Sequence, residues 1–149
     1  GVMHYMGIVE SQLAKAGYEI FENVFSDISD DLGTEIMPGF QEGIKLIRMD
    51  EGRHITNGRW VMKRLAEEDP DIVTEVYEPK VEEYLERLTG QQAADDRYED
   101  YSFDMATLQR NVSNANLRQT IEYIGPEKFD NFGADFDIGA YGDAAAAGD

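Results

Sequence analysis

Cysteine is absent, which removes disulfides, thiolate metal sites and cysteine nucleophiles together. Basic residues are few: 13 Lys and Arg, only 5 of them Lys, stand against 15 Asp and 16 Glu. The formal charge of −18 repels phosphate backbones and anionic lipid surfaces, so neither nucleic acid nor membrane partners are expected. No apolar run reaches the length of a membrane span, and no basic-then-apolar leader opens the sequence, which makes the cytoplasm the expected compartment. Histidine is limited to His4 and His54, so any imidazole chemistry falls on one of those two.

The 149 residues, 42% of them hydrophobic, suffice for one domain with one sizeable core. The acid excess lies mostly on that body, because the stretch from Gly125 onward carries only 6 acids and 1 base. Such a surface is the heavily hydrated kind expected of a halophilic protein, and its self-repulsion is relieved as salt screens it. An ordinary acidic protein is the plainer alternative.

Apolar residues recur at helical spacing along most of the chain, and no alternating strand pattern of useful length occurs, so the class is all-α. The first helix carries Val2, Met3, Met6, Leu13, Ala14, Gly17, Tyr18, Phe21 and Phe25, then dissolves in the polar run from Ser26 to Gly33. Its periodicity is already running at Val2 with no cap before it, which reads as a start in mid-helix. Pro38 suits the first position of a second helix reaching Ala66, with a stripe at Phe40, Ile44, Ile47, Ile55, Val61, Met62 and Leu65. Asp69 and Pro70 read as the cap and first position of a third helix, which runs to Gly90 with a kink expected at Pro79. After an acidic connection, 91–100, a fourth helix runs from Met105 to Ile124 and is closed by Gly125-Pro126. Residues 1–125 are thus expected to form a helical domain. Residues 126–149, with Ala144 to Ala147 and scattered Gly and Asp, read as a flexible acidic tail.

Two places break the apolar stripes. Glu10 has Met3, Met6, Gly7, Leu13, Ala14 and Gly17 as its helical neighbours, so a carboxylate sits in the middle of an apolar face. Burial of an unpaired carboxylate is costly, and it must be neutralised, paired or bound to a cation. An arginine on another helix would suffice. On the next helix, Glu51 and His54 interrupt the seam of Ile44, Ile47, Gly58 and Val61, and their spacing of three places them on one face. Glu-x-x-His on one helix with a Glu on its neighbour is the unit from which di-iron and di-manganese carboxylate centres are built. Oxygen and imidazole donors suit Mn and Fe, and a divalent ion would explain why such charges enter a core. A satisfied core histidine is the bland reading of His54 alone. Asp50 is positioned either to hold a ligand from behind or as a solvated helix acid.

The runs Tyr5-Met6-Gly7-Ile8-Val9-Glu10, Leu13-Ala14, Gly17-Tyr18, Pro38-Gly39-Phe40-Gln41-Glu42 and Asp50-Glu51-Gly52-Arg53-His54 resemble the second half of the ribonucleotide reductase small-subunit superfamily. Its ligand-binding oxidase branch is the most similar. The resemblance covers Tyr5 to about Tyr77 closely and the rest loosely. It implies a ferritin-like four-helix bundle, of which this chain holds the second half, the metal half-site in 1–66 and C-terminal helices. It also implies a Mn/Fe or di-iron pair, and a long-chain fatty acid in a hydrophobic channel. By position, Glu10 matches the terminal glutamate of the second metal, Glu51 the bridging glutamate and His54 its histidine. Tyr5 matches a tyrosine joined to a valine by an ether link, though on the residues alone it is an aromatic at a helix interface. In α-helical geometry Tyr5 and Glu10 would stand about 140° apart around the axis.

The family draws its other glutamate, its other Glu-x-x-His and the valine from two earlier helices, for which this chain has no counterpart. The expected partner is therefore a missing N-terminal half of the same protein, with two copies pairing their half-sites across a twofold axis as the alternative; a homodimer is expected in any case. The leading functional expectation is an oxygen-activating oxidase. The alternatives are a reductase radical subunit, which would need a radical tyrosine on the missing half and a C-terminal tail, such as the one holding Tyr141, that docks on a large subunit, and a non-catalytic ferritin-like module for metal storage or interaction.

The charge alone generates a test. The unfolding midpoint is expected to rise from low to molar salt, because a surplus of −18 repels itself until screened. Thermal melts in a potassium chloride series check this, and a flat or falling midpoint would count against salt adaptation.

Overall fold

A computed structural model of the chain describes residues 1, 5–91, 102–133 and 136–137, and all regular structure among them is helical. Helix α1 starts as a π-helix, Tyr5–Ala14, and continues unbroken as the α-helix Lys15–Leu32. Helix α2 spans Pro38–Glu68. Helix α3 starts as a π-helical turn, Val73–Tyr77, and continues as Glu78–Gln91. Helix α4 spans Met105–Ile124 and is followed by a 3₁₀ turn, Pro126–Lys128. Val2, Met3 and His4, the acidic connection 92–101 and Tyr141 lie outside the described residues.

The turn between α1 and α2 is closed by its backbone. Gly33 adopts φ +64°, its N–H donates to Asp30 O, and Thr34 N–H donates to Ser29 O. These two bonds form a Schellman cap, which needs a left-handed residue where glycine carries no Cβ penalty. A connection this short makes α1 and α2 antiparallel neighbours, and Arg48 of α2 binds Glu19 and Glu22 of α1 across them. Helix α4 lies against both: Lys15 Nζ donates to Asn116 Oδ1 at 3.0 Å, and Arg59 Nε donates to Thr120 Oγ1 at 3.0 Å. Its N-terminus is capped by Asp104, whose side chain accepts from Thr107 N–H.

Two expectations about α3 change in detail. Asp69 does not open this helix with its side chain. It closes α2, donating its N–H to Leu65 O at 2.8 Å, while its carbonyl accepts Ile72 N–H. The extended backbone at Asp69, with φ −139°, is what a residue before proline adopts. The kink expected at Pro79 takes the form of the π-helical turn just before it, where Glu78 N–H reaches back to Val73 O.

The core lies at the end of the hairpin away from its turn. Ile8 of α1, Met62 and Ala66 of α2, Val73, Tyr77, Val81 and Leu85 of α3, and Leu117, Ile121 and Ile124 of α4 are all buried there. Burial pushes the Tyr77 phenol up to about 12, and its hydroxyl donates to Met62 O at 3.1 Å. At the turn end, Phe25 and Phe40 pack with ring centroids 5.4 Å apart, and Phe21 and Phe40 remain half-exposed.

The boundary expected at residue 125 is not where packing stops. Phe132 is buried in the core, Phe136 meets it edge-on with centroids 5.1 Å apart, and Phe129 packs against the same cluster. The buried Glu78 carboxylate accepts from Asn131 N–H at 2.8 Å and from Asn131 Nδ2 at 3.2 Å. Glycine and aspartate in this stretch hid three phenylalanines whose burial outweighs the entropy of ordering it. Residues 138–149 lie outside the described residues. Phe132→Ala is expected to lower stability by about 3–5 kcal/mol, whereas Asp130→Ala on the exposed side should change it by less than about 0.5 kcal/mol. Urea unfolding of both variants decides this, and equal midpoints would mean that the segment is not part of the folded unit.

Candidate metal centre

Glu10 sits in the π-helical part of α1, and Glu51 and His54 sit one turn apart on α2. The antiparallel hairpin brings all three together, so that one donor atom from each lies within 4.8 Å of the other two. His54 Nδ1 is 3.5 Å from Glu51 Oε2 and 3.9 Å from Glu10 Oε1. Donors around one ion bonded at about 2.1 Å stand roughly 3 to 4 Å apart, so these spacings fit a shared cation with little adjustment. The arginine that could have neutralised Glu10 does not: among the described residues, its ion-pair partner is His54.

Each carboxylate keeps one oxygen without a hydrogen bond among the described residues. Glu10 is 7% exposed, and Glu10 Oε2 and Glu51 Oε2 are buried without a hydrogen-bond partner among the described residues. Burial first, and then the neighbouring Glu51 carboxylate, push the Glu10 carboxyl above its ordinary value, with His54 opposing them. The imidazole, by contrast, is about half-exposed, so His54 is not a core histidine. Its two nitrogens face different groups. Nδ1 faces the two glutamates, while Nε2 lies 3.7 Å from Asp50 Oδ2, beyond hydrogen-bond length but on the side from which a carboxylate can fix ring orientation. Asp50 is also 3.6 Å from Arg53 Nη1 and more than half exposed.

The backbone around Glu10 departs from the α-geometry assumed for the sequence. Hydrogen bonds in the π-helix span five residues, so positions five apart are nearly one turn apart, and Tyr5 stands closer to the Glu10 face than the expected 140°. The Tyr5 side chain lies outside the described residues. Ser11, fully buried beside Glu10, donates its hydroxyl to Gly7 O.

Two contributors were not singled out from the sequence. Tyr18, two turns beyond Glu10, has its phenol pushed up by burial and then by the Glu51 and Glu10 carboxylates, which places it in the field of the centre. Its spacing of eight from Glu10 was a usable signal. Gly58, one turn after His54, lets α1 and α2 approach: a Cβ there would lie 2.5 Å from Met6 Cβ. Comparison of the chain with protein-family models, with curated proteins and with solved structures finds no match, so the centre is read from its own geometry.

A raised Glu10 value has a definite sign in stability. The folded chain binds that proton more tightly than the unfolded chain, so the contribution of this group to stability is greatest below the ordinary value of 4.5 and is lost as pH rises through the raised folded value. In metal-free protein, Glu10→Gln is therefore expected to abolish this fall and to be more stable than wild type at neutral pH. Denaturation across pH in the presence of a chelator checks it, and an unchanged pH slope in the variant would refute the assignment of the burial cost to Glu10.

Proposed function

We propose that Glu10, Glu51 and His54 form one half of a dinuclear Mn/Fe or Fe/Fe centre in a ferritin-like bundle, and that the parent protein is an oxygen-activating oxidase with a hydrophobic, fatty-acid-type ligand. One observation carries this reading. Three metal-type donors from two helices converge in an apolar seam, and two of their carboxylate oxygens are buried without a hydrogen-bond partner among the described residues.

The surroundings support a bundle completed by further helices. Phe40, Ile47 and Leu65 lie along the same stripe of α2 as Glu51 and His54 and remain substantially exposed. Two helices docked on that stripe would cover these side chains and supply the second Glu and second Glu-x-x-His, from an N-terminal half of the same protein in this reading. Among the described residues no helix is long and apolar enough to cross a membrane.

Within such a centre, Glu10 and Glu51 would hold metal through carboxylate oxygens and His54 through Nδ1. Bound Mn or Fe supplies the redox chemistry with oxygen that no protein side chain here provides. The chain's own contribution is placement. Asp50 stands on the Nε2 side of His54 and orients the ring, and Gly58 keeps the two ligand helices close. Tyr18 offers a hydroxyl, kept protonated by its surroundings, near both carboxylates.

Titration of the chelator-stripped chain with Mn²⁺, followed by calorimetry and by electron paramagnetic resonance, tests the reading. Saturable binding of one ion is expected; Asp50→Asn should weaken it roughly tenfold, and His54→Ala more than that. Full occupancy in His54→Ala at the wild-type affinity would defeat the assignment.

A further inference from the structure

On the side of the hairpin facing α4, an open groove of about 530 Å³ is walled by Lys15 and Glu19 of α1, Lys45, Arg48 and Met49 of α2, and Asn116 of α4. Arg59 stands behind it, donating Nη2 to Asn116 O at 3.1 Å and Nη1 to Gln119 Oε1 at 3.1 Å. Four of the 13 bases of this acidic chain are gathered around one cavity. The lining acids, Glu19 and Glu22, are both engaged by Arg48, so the lining itself nets one positive charge and Arg59 behind it adds a second.

Lys15 and Arg59 are held by neutral oxygens. Asn116 Nδ2 donates to Val112 O at 2.9 Å, which turns Oδ1 toward the bases, and that single oxygen accepts from Lys15 Nζ at 3.0 Å and Arg59 Nη2 at 3.4 Å. Among the described residues, neither Lys15 nor Arg59 has a carboxylate within ion-pair distance. Burial, then the Arg59 and Arg48 charges, lower the Lys15 ammonium from its ordinary value, with Glu19 opposing them. In a body that otherwise repels anions, bases without a carboxylate partner favour an anion beside them.

We propose that this groove binds a phosphate or phosphomonoester dianion, with Lys15 and Lys45 as its direct contacts and Arg59 and Asn116 positioning Lys15. Two excess charges match a dianion better than chloride. The apolar wall of Met49, Val112 and Ala115 offers a surface for the organic part of an ester. Long-range repulsion by the acidic body is screened within about 10 Å at moderate ionic strength, whereas contacts inside the groove are not. The proposal stands apart from the metal centre, which uses none of these four residues.

Calorimetric and phosphorus-NMR titration of the chelator-treated chain with inorganic phosphate, at ionic strength held constant by potassium chloride, tests it. One saturable site is expected, preferred over chloride. Lys15→Met should weaken it roughly tenfold, Lys45→Ala should weaken it several-fold, and Lys80→Ala, paired with Glu83 elsewhere, should leave it unchanged. Because Lys15 is partly buried, circular dichroism checks that its variant folds; if it does not, the more exposed Lys45 decides alone. Absence of saturation, equal displacement by chloride, or an unaltered affinity in Lys45→Ala would overturn the proposal.

Discussion

Glu10 is buried beside Glu51, and two carboxylates this close in an apolar seam cannot both keep their charge without a counter-charge. Among the described residues, the half-exposed His54 is the basic group set against them, and a single protonated imidazole would neutralise only one. Much of the hairpin is shaped around that imbalance. Gly58 removes a Cβ so that α1 can come near α2, and the π-helical stretch of α1 sets the height at which the carboxylate meets its partners. An apolar residue at position 10 would pack more cheaply. Retaining the acid is intelligible if a cation completes the group.

The two π-helical segments occur for different reasons. In α3 the cause is local, since Pro79 has no N–H to give and the chain widens by one residue just before it. In α1 no proline or glycine pair accounts for ten residues of wide helix, which hold Glu10, the buried Ser11 and Gly7. Helical irregularities without a local cause concentrate at functional sites, because wide turns re-aim side chains that regular geometry would send elsewhere.

The four helices were legible because each carries a periodic apolar stripe bounded by strong punctuation: Gly33 before Pro38, Asp69-Pro70, and Gly125-Pro126. Glu10, Glu51 and His54 were legible as charges interrupting such stripes, and the hairpin does bring them together. Width of helix was not, since hydrophobic periodicity does not distinguish an α-turn from a π-turn over ten residues. Asp69 serves two helices, its N–H closing α2 and its carbonyl accepting from the first turn of α3, and a cap residue before proline does not tell the two roles apart in a sequence. The segment after Gly125 looked like tail for its Gly and Asp content, and the spacing of Phe129, Phe132 and Phe136 carried the opposite information. Tyr18 was visible only as one more aromatic, because its importance lies in two carboxylates from different helices.

Charge distribution ties these parts together. A body at −18 disfavours its own compact state, yet the few bases are not spread evenly to relieve it. Arg48 links α1 to α2, while Lys15 and Arg59 reach α4 from the two helices, so the cations stand where the acidic hairpin must be held against its neighbour. Lys15 and Arg59 meet amide and hydroxyl oxygens instead of carboxylates, although acids are the commoner residues by more than two to one. Neutral partners hold the helices in register without cancelling the charge, and under the two proposals above the hairpin would take a cation at its carboxylates and an anion beside Lys15.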